Sequence, residues 1–209
     1  MRSNIKRVKE RFPGDVAEHE MTIMLNDGVY RHIRFKKPGT MMYYFDLTTW
    51  PGFLAITGDM GSYVFSRLRD MFEFFGIRTG YGIDYRYWAE KCQASDRNSG
   101  MTDWDEEAYV EWIDRMVEDA LDYHPNGVSS RGLGDFNEQI EILRDAKHYK
   151  EEAERAVMDF YESGWIDESP LEHFEQPSYH LAWCMHAIQW GIQQYNEKEA
   201  QHGGQDAAT

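Results

Sequence analysis

Residues 20–66 read EMTIMLNDGVYRHIRFKKPGTMMYYFDLTTWPGFLAITGDMGSYVFS, and this stretch decides the fold. Short apolar runs alternate with turn residues at roughly ten-residue spacing, the pattern of an antiparallel meander. Met21–Leu25 leads into Asn26-Asp27-Gly28, a hairpin turn that needs positive φ. Val29–Phe35 then alternates, with Val29, Ile33 and Phe35 on one face and Tyr30, His32 and Arg34 on the other. Pro38-Gly39 turns the chain, and Met41–Leu47 reads as a strand with Met41, Tyr43, Phe45 and Leu47 on one face. Pro51-Gly52 precedes a strand over Phe53–Thr57, and Gly58-Asp59-Met60-Gly61 precedes another over Ser62–Ser66. Four or five antiparallel strands are expected.

Beyond Arg67 the period changes. Leu68, Met71, Phe72 and Phe75 fall at helical spacing and Gly76 closes that helix. A second helix is expected over Ile83–Cys92, then a polar loop over Gln93–Met101. Thr102-Asp103-Trp104-Asp105 has the form of a capping box for a helix reaching Tyr123. A helix opening at Asp135 keeps steps of three or four through Phe160, and Gly164 stops it. Ser169-Pro170-Leu171-Glu172 signals a further helix start. The last helix, Ser178–Glu197, is apolar nearly all round, as in a central helix packed on several sides. The expectation is an α+β fold: an N-terminal antiparallel β-meander packed against a C-terminal bundle of helices. Residues 1–19 form a basic N-terminal segment, 20–200 a single domain, and 201–209 a disordered tail.

Charge is the other strong signal. The 209 residues hold 22 Lys and Arg against 37 Asp and Glu, for a net charge of −15. Residues 1–90 carry 13 basic and 11 acidic groups, whereas residues 91–209 carry 9 and 26. A chain this acidic does not coat nucleic acid or an anionic membrane, because both repel it. No apolar run approaches the ~18–20 residues of a membrane span, and the basic start lacks the apolar segment of a secretory signal. Two cysteines cannot build a disulfide framework, so reduced thiols in a cytosolic protein are expected.

The excess acid concentrates in one helix. Asp103, Glu107, Glu111, Asp114, Glu118 and Asp122 recur every three or four residues and fall within about 100° of helical arc. Tyr109, Trp112, Ile113, Met116 and Ala120 hold the opposite face. Such a stripe serves as a solvated face that keeps the chain soluble. Its functional reading is a partner-binding surface for a basic partner, either a groove of another protein that otherwise holds nucleic acid or a basic protein face.

Catalytic signatures are missing. There is no Gly-x-Ser-x-Gly, Walker loop, dinucleotide fingerprint or His-Glu-x-x-His. His180, Cys184 and His186 share the last helix, but their neighbours Trp183, Met185 and Trp190 are core residues, so no metal is assigned. No cofactor and no catalytic residue are assigned either. Arg31, Arg34, Lys36 and Lys37 form a basic patch that suits a sheet edge protected against aggregation. An enzyme of unfamiliar type, a hydrolase or nucleotide-degrading protein, requires His32, Asp46 and Asp59 to converge in a pocket between sheet and helices.

The segment Tyr44–Phe75, YFDLTTWPGFLAITGDMGSYVFSRLRDMFEFF, together with Arg31–Phe35 and Pro38-Gly39-Thr40, resembles a family of uncharacterised proteins encoded by bacteriophages and prophages. The similarity covers about residues 29–90. Phe45-Asp46-Leu47, Thr49-Trp50-Pro51-Gly52, Gly58-Asp59-Met60-Gly61 and Asp70-Met71-Phe72 carry it in that order. The resemblance implies a phage protein acting in the host bacterial cytoplasm. The function expected is inhibition of a bacterial defence protein, of the anti-CRISPR or anti-restriction kind, through the acidic stripe. A phage structural or assembly factor is the remaining alternative. Aromatic helices can leave an apolar patch that a second copy would cover, giving a homodimer.

Overall fold

The turn residues close the hairpins that the alternating pattern requires. The protein is seen in a computed structural model that describes residues 3–76, 82–123, 133–165 and 174–206. Strand β1 (Glu20–Asp27) pairs with β2 (Tyr30–Lys36) across Gly28, where φ is +59°. Strand β3 (Phe45–Trp50) pairs with β4 (Phe53–Gly58) across Gly52, at φ +87°. Both φ values lie in the region that glycine enters without penalty. Strands β5 (Tyr63–Ser66) and β6 (Cys92–Ala94) complete a six-stranded antiparallel sheet in sequential order. The fold is α+β, with the meander N-terminal and the helices largely after it.

Register follows side-chain burial. Ile33 stands opposite Leu47 and Leu47 opposite Ile56, so one face of the sheet collects Ile33, Phe35, Phe45, Leu47, Leu54, Ile56, Tyr63 and Phe65, all buried. A one-residue slip would turn this whole set to solvent. Against it lies the core with the long last helix. Ser178 opens that helix, its hydroxyl accepting from the Leu181 N–H at 3.2 Å. Trp183, Ile188 and Ile192 are fully buried, as the all-round apolar sequence requires. Burying each such side chain contributes roughly 1.5–3 kcal/mol. Gly191 marks a close approach of this helix to the sheet: a Cβ there would meet Leu47 Cδ1 at 2.9 Å and Phe35 Cε2 at 3.1 Å.

Several boundaries differ from expectation. The basic segment at the N-terminus holds helix α1 (Asn4–Asp15), whose Val8 and Phe12 are buried and whose core partners include Trp183. Met41–Tyr44 is not strand. Tyr43 sits at φ +57°, which no strand accommodates, and β3 starts only at Phe45. Helix α2 forms only over Met71–Gly76 and leaves Leu68 outside it, α3 is confined to Tyr85–Ala89, and Cys92 pairs in β6 instead of ending a helix. The basic residues of β2 do not line a sheet edge, because β1 covers that strand. The last helix, α7, runs over Tyr179–Asp206, so most of the tail expected to be disordered is helical.

The single domain expected over 20–200 divides by its contacts into two compact units. The sheet unit comprises Asn4–Thr102 and Pro177–Thr209, and the helical unit Met1–Ser3 and Asp103–Gln176. Strands β7 (Thr102–Trp104) and β8 (Glu175–Pro177) carry the chain out and back, and they pair with each other. The helical unit contains α4 (Glu106–Tyr123), α5 (Leu133–Asp145), a 3-10 turn at Ala146–His148 and α6 (Lys150–Glu162). The single helix expected from Asp135 to Gly164 is therefore broken at Tyr149, which is extended. Tyr109, Ile113, Phe136, Leu143, Val157 and Phe160 make this unit's own core. The helix expected at Ser169 lies outside the described residues.

Candidate functional site

Helix α4 is held by its apolar side. Asp105 caps it, accepting from the Ala108 N–H at 3.1 Å. Buried Tyr109 donates its hydroxyl to the Leu143 carbonyl at 3.0 Å, and Trp104 donates its indole N–H to Lys147 O at 3.0 Å. These anchors leave the other side of the helix to solvent. Glu107, Glu111, Asp114 and Glu118 are all exposed. Each pair of neighbours along this row is like-charged at (i, i+3) or (i, i+4) spacing and opposes the helix by a few tenths of a kcal/mol.

Little basic charge answers them. Asp114 accepts from Arg144 at 3.2 Å, and Arg144 also lies 3.5 Å from Glu141. Glu107, Glu111 and Glu118 make no ion pair among the described residues. Arg115 turns its Nε to the Glu111 carbonyl, not to a carboxylate. The segment Asp103–Gln176 holds 22 acidic and 6 basic residues, while the rest of the chain holds 15 and 16. The net negative charge of the protein thus resides in the helical unit. Of the expected stripe, Asp103 belongs to β7 and not to the helix, because helical structure begins only after the Asp105 cap. The side chain of Asp122 lies outside the described residues.

The sheet unit carries a second polar cluster, on the face of the sheet opposite its core. Arg34 and Asp46 are directly opposite in the β2–β3 ladder. Arg34 donates Nε and one terminal nitrogen to the two Asp46 oxygens at 2.8 and 2.7 Å, and His32 Nε2 donates to Asp46 at 3.0 Å. Burial pushes the Asp46 carboxyl up, but the bonds from Arg34 and His32 outweigh it and leave the group below the ordinary carboxylate range. Both oxygens are engaged, so Asp46 is a fixed anion and not an available base. Asp59 does not join this cluster: its carboxylate accepts the Tyr43 N–H at 2.8 Å. The three-residue convergence required of an enzyme is therefore incomplete. Of the rest of the basic patch, Arg31 pairs with Asp70 at 2.8 Å and Lys37 with Glu18 at 2.6 Å, while Lys36 reaches only the Met41 sulfur at 4.0 Å.

His186 and Cys184 serve the core of the sheet unit. The Tyr85 hydroxyl and His186 Nε2 share a hydrogen bond at 2.7 Å, and Cys184 donates to the Met60 carbonyl at 3.4 Å. Burial pushes the His186 imidazole down to about 4, with Lys9 adding to the shift. Burial pushes the Cys184 thiol up. Both cysteines are free, Cys184 buried and Cys92 half-buried. Among the described residues no three His, Cys, Asp or Glu come together as a metal centre, and no helix is long and apolar enough to cross a membrane. No protein-family model, curated protein or solved structure matches the chain.

Proposed function

We propose that the chain is a non-enzymatic binding protein that engages the basic surface of a protein partner through the acidic face of α4. The observation that carries this reading is the row Glu107, Glu111, Asp114 and Glu118, exposed along one helix with Arg144 alone paired to it among the described residues. A row of like charges costs helix stability, and the buried anchors Tyr109 and Ile113 offset that cost on the other side. Such a surface attracts a cationic face over several ångströms and accelerates encounter. The resemblance of residues 29–90 to phage-encoded proteins supports the more specific form of the proposal. In that form the chain is an acidic phage accessory factor in the host bacterial cytoplasm, and the partner is a CRISPR or restriction component whose basic groove otherwise receives nucleic acid.

The engaged Asp46 carboxylate and the separate duty of Asp59 weigh against the hydrolase alternative. Capture of bacterial lysate on the immobilised chain, in a series of rising salt, tests the proposal. A nuclease, restriction or CRISPR protein is expected at low salt and is expected to elute steeply as ionic strength screens the contact. Recovery of no such protein, or retention that is indifferent to salt, overturns it.

A further inference from the structure

We infer that the cavity between the end of α1 and the β2–β3 connection binds an aliphatic ammonium group. The cavity measures about 380 Å³ and lies entirely within the sheet unit, lined by Asp15, Glu18, His19, Lys37, Met42 and Tyr43 among others. That volume lies in the range of sites for small molecules. Four features set its chemistry.

The first is charge. Two carboxylates share the wall with one ammonium, and Lys37 is already committed to Glu18. Asp15 makes no ion pair among the described residues and is held only by the Trp183 indole N–H at 3.0 Å. The second is the helix. Asp15 is the last residue of α1, whose final turn contains no basic side chain. A helix C-terminus carries about half a negative charge, so a carboxylate there is repelled and a cation is favoured. No described residue pairs a cation with Asp15, and the ligand would.

The third is His19. Its Nε2 lies 3.0 Å from the Tyr43 carbonyl, which can only accept, so Nε2 carries the proton and Nδ1 is left as an acceptor. That Nδ1 is buried and meets no donor. The fourth is Tyr43 itself. Its φ of +57° is rare for a bulky side chain and is held from both sides, by Asp59 on its N–H and His19 on its carbonyl. This backbone lays the Tyr43 ring on Trp183, with centroids 5.9 Å apart and planes 24° apart, at the cavity wall. Met42 and the tyrosine then offer apolar surface to a methylene chain, while Asp15 and Glu18 receive the ammonium head.

The source of such a group is either a free aliphatic diamine or the side chain of a lysine, and one titration separates them. The uniformly labelled full-length chain is titrated with cadaverine and, separately, with Nα-acetyl-lysine methylamide at physiological salt, followed by backbone amide resonances. Saturable shifts at Asp15, His19 and Tyr43 are expected below about 10 mM. Response to the diamine alone identifies a free amine, and response to the lysine analogue identifies a lysine side chain. Asp15→Asn keeps an oxygen for Trp183 but removes the charge, and is expected to weaken binding about tenfold. Glu18→Gln, which also frees Lys37 to pair with Asp15, is expected to weaken it as well and serves if Asp15→Asn does not fold. The inference is overturned by absence of saturation with both amines, by shifts confined to the acidic α4 residues, or by unchanged affinity in both variants.

Discussion

Gly191→Ala places two opposing effects in one residue. In an unobstructed helix the change stabilises by about 1 kcal/mol, because alanine loses less backbone entropy than glycine. Position 191 is not unobstructed. The new methyl would stand 2.9 Å from Leu47 Cδ1 and 3.1 and 3.2 Å from two Phe35 ring atoms. Both neighbours are fully buried, and Phe35 is itself stacked on Phe45 at 4.8 Å. The ring therefore has no free space to yield, and relief must come from α7 lifting off the sheet. Overfilling a packed core costs about 1–3 kcal/mol. The net expectation is destabilisation of about 1 kcal/mol. Urea denaturation followed by circular dichroism measures it as a lower midpoint with unchanged slope. Leu47→Val trims the clashing methyl, so in a double-mutant cycle the pair should couple favourably. A Gly191→Ala protein more stable than wild type by the full helix-propensity gain would refute the packing of α7 against β2 and β3.

Other expectations follow from the titrating and reactive groups. His186 is held neutral, its value moved from 6.5 to about 4, so its stabilisation is complete above pH 6.5 and is lost as pH falls toward 4. Stability should decline over that window by up to about 1.4 kcal/mol per pH unit, and His186→Gln should flatten the slope. Asp46 is shifted the same way for a different reason, and its contribution is present above its ordinary value of 3.8 and lost at lower pH. Asp46→Ala should lower stability near neutrality by about 1–2 kcal/mol and weaken the acid limb of the profile, read by chemical denaturation at several pH values. In the native protein a thiol reagent should modify half-buried Cys92 slowly and leave Cys184 untouched until unfolding, as mass mapping of the labelled chain would show.

Much of the sheet was legible because its signals are local. Asn26-Asp27-Gly28 and Pro51-Gly52 are turn chemistry, and the alternation of Ile33, Phe35, Phe45 and Leu47 sets the buried face. The start of β3 was not legible. Met41 and Tyr43 continue the same alternation, and only a carboxylate sixteen residues away, Asp59, reveals that the Tyr43 N–H belongs to a turn. Helix α1 is written as Val8 and Phe12 one turn apart among basic residues, a period obscured by the charge of the segment and by Pro13. The break at Tyr149 carries neither glycine nor proline, and the three-residue strands β6, β7 and β8 exist through distant partners that no local pattern encodes. For the acidic row, helical spacing placed Glu107, Glu111, Asp114 and Glu118 together, and the exposure of all four agrees with it. Asp103 falls outside the helix because the cap lies at Asp105, three residues after the Thr102 cap that the box pattern suggests.

The acidic face of α4 is most directly tested by reversing it. A quadruple variant, Glu107→Lys, Glu111→Lys, Asp114→Lys and Glu118→Lys, is compared with wild type in quantitative low-salt capture from bacterial lysate. Each site is exposed, so each change should alter stability by less than about 0.5 kcal/mol, and circular dichroism should show an intact fold. Four lysines facing a basic surface oppose binding by several kcal/mol. The account predicts that the protein retained by the wild-type chain is absent from the variant. Retention of that same protein by the folded variant at undiminished yield would contradict it, and would leave the row as a face that only keeps the protein in solution.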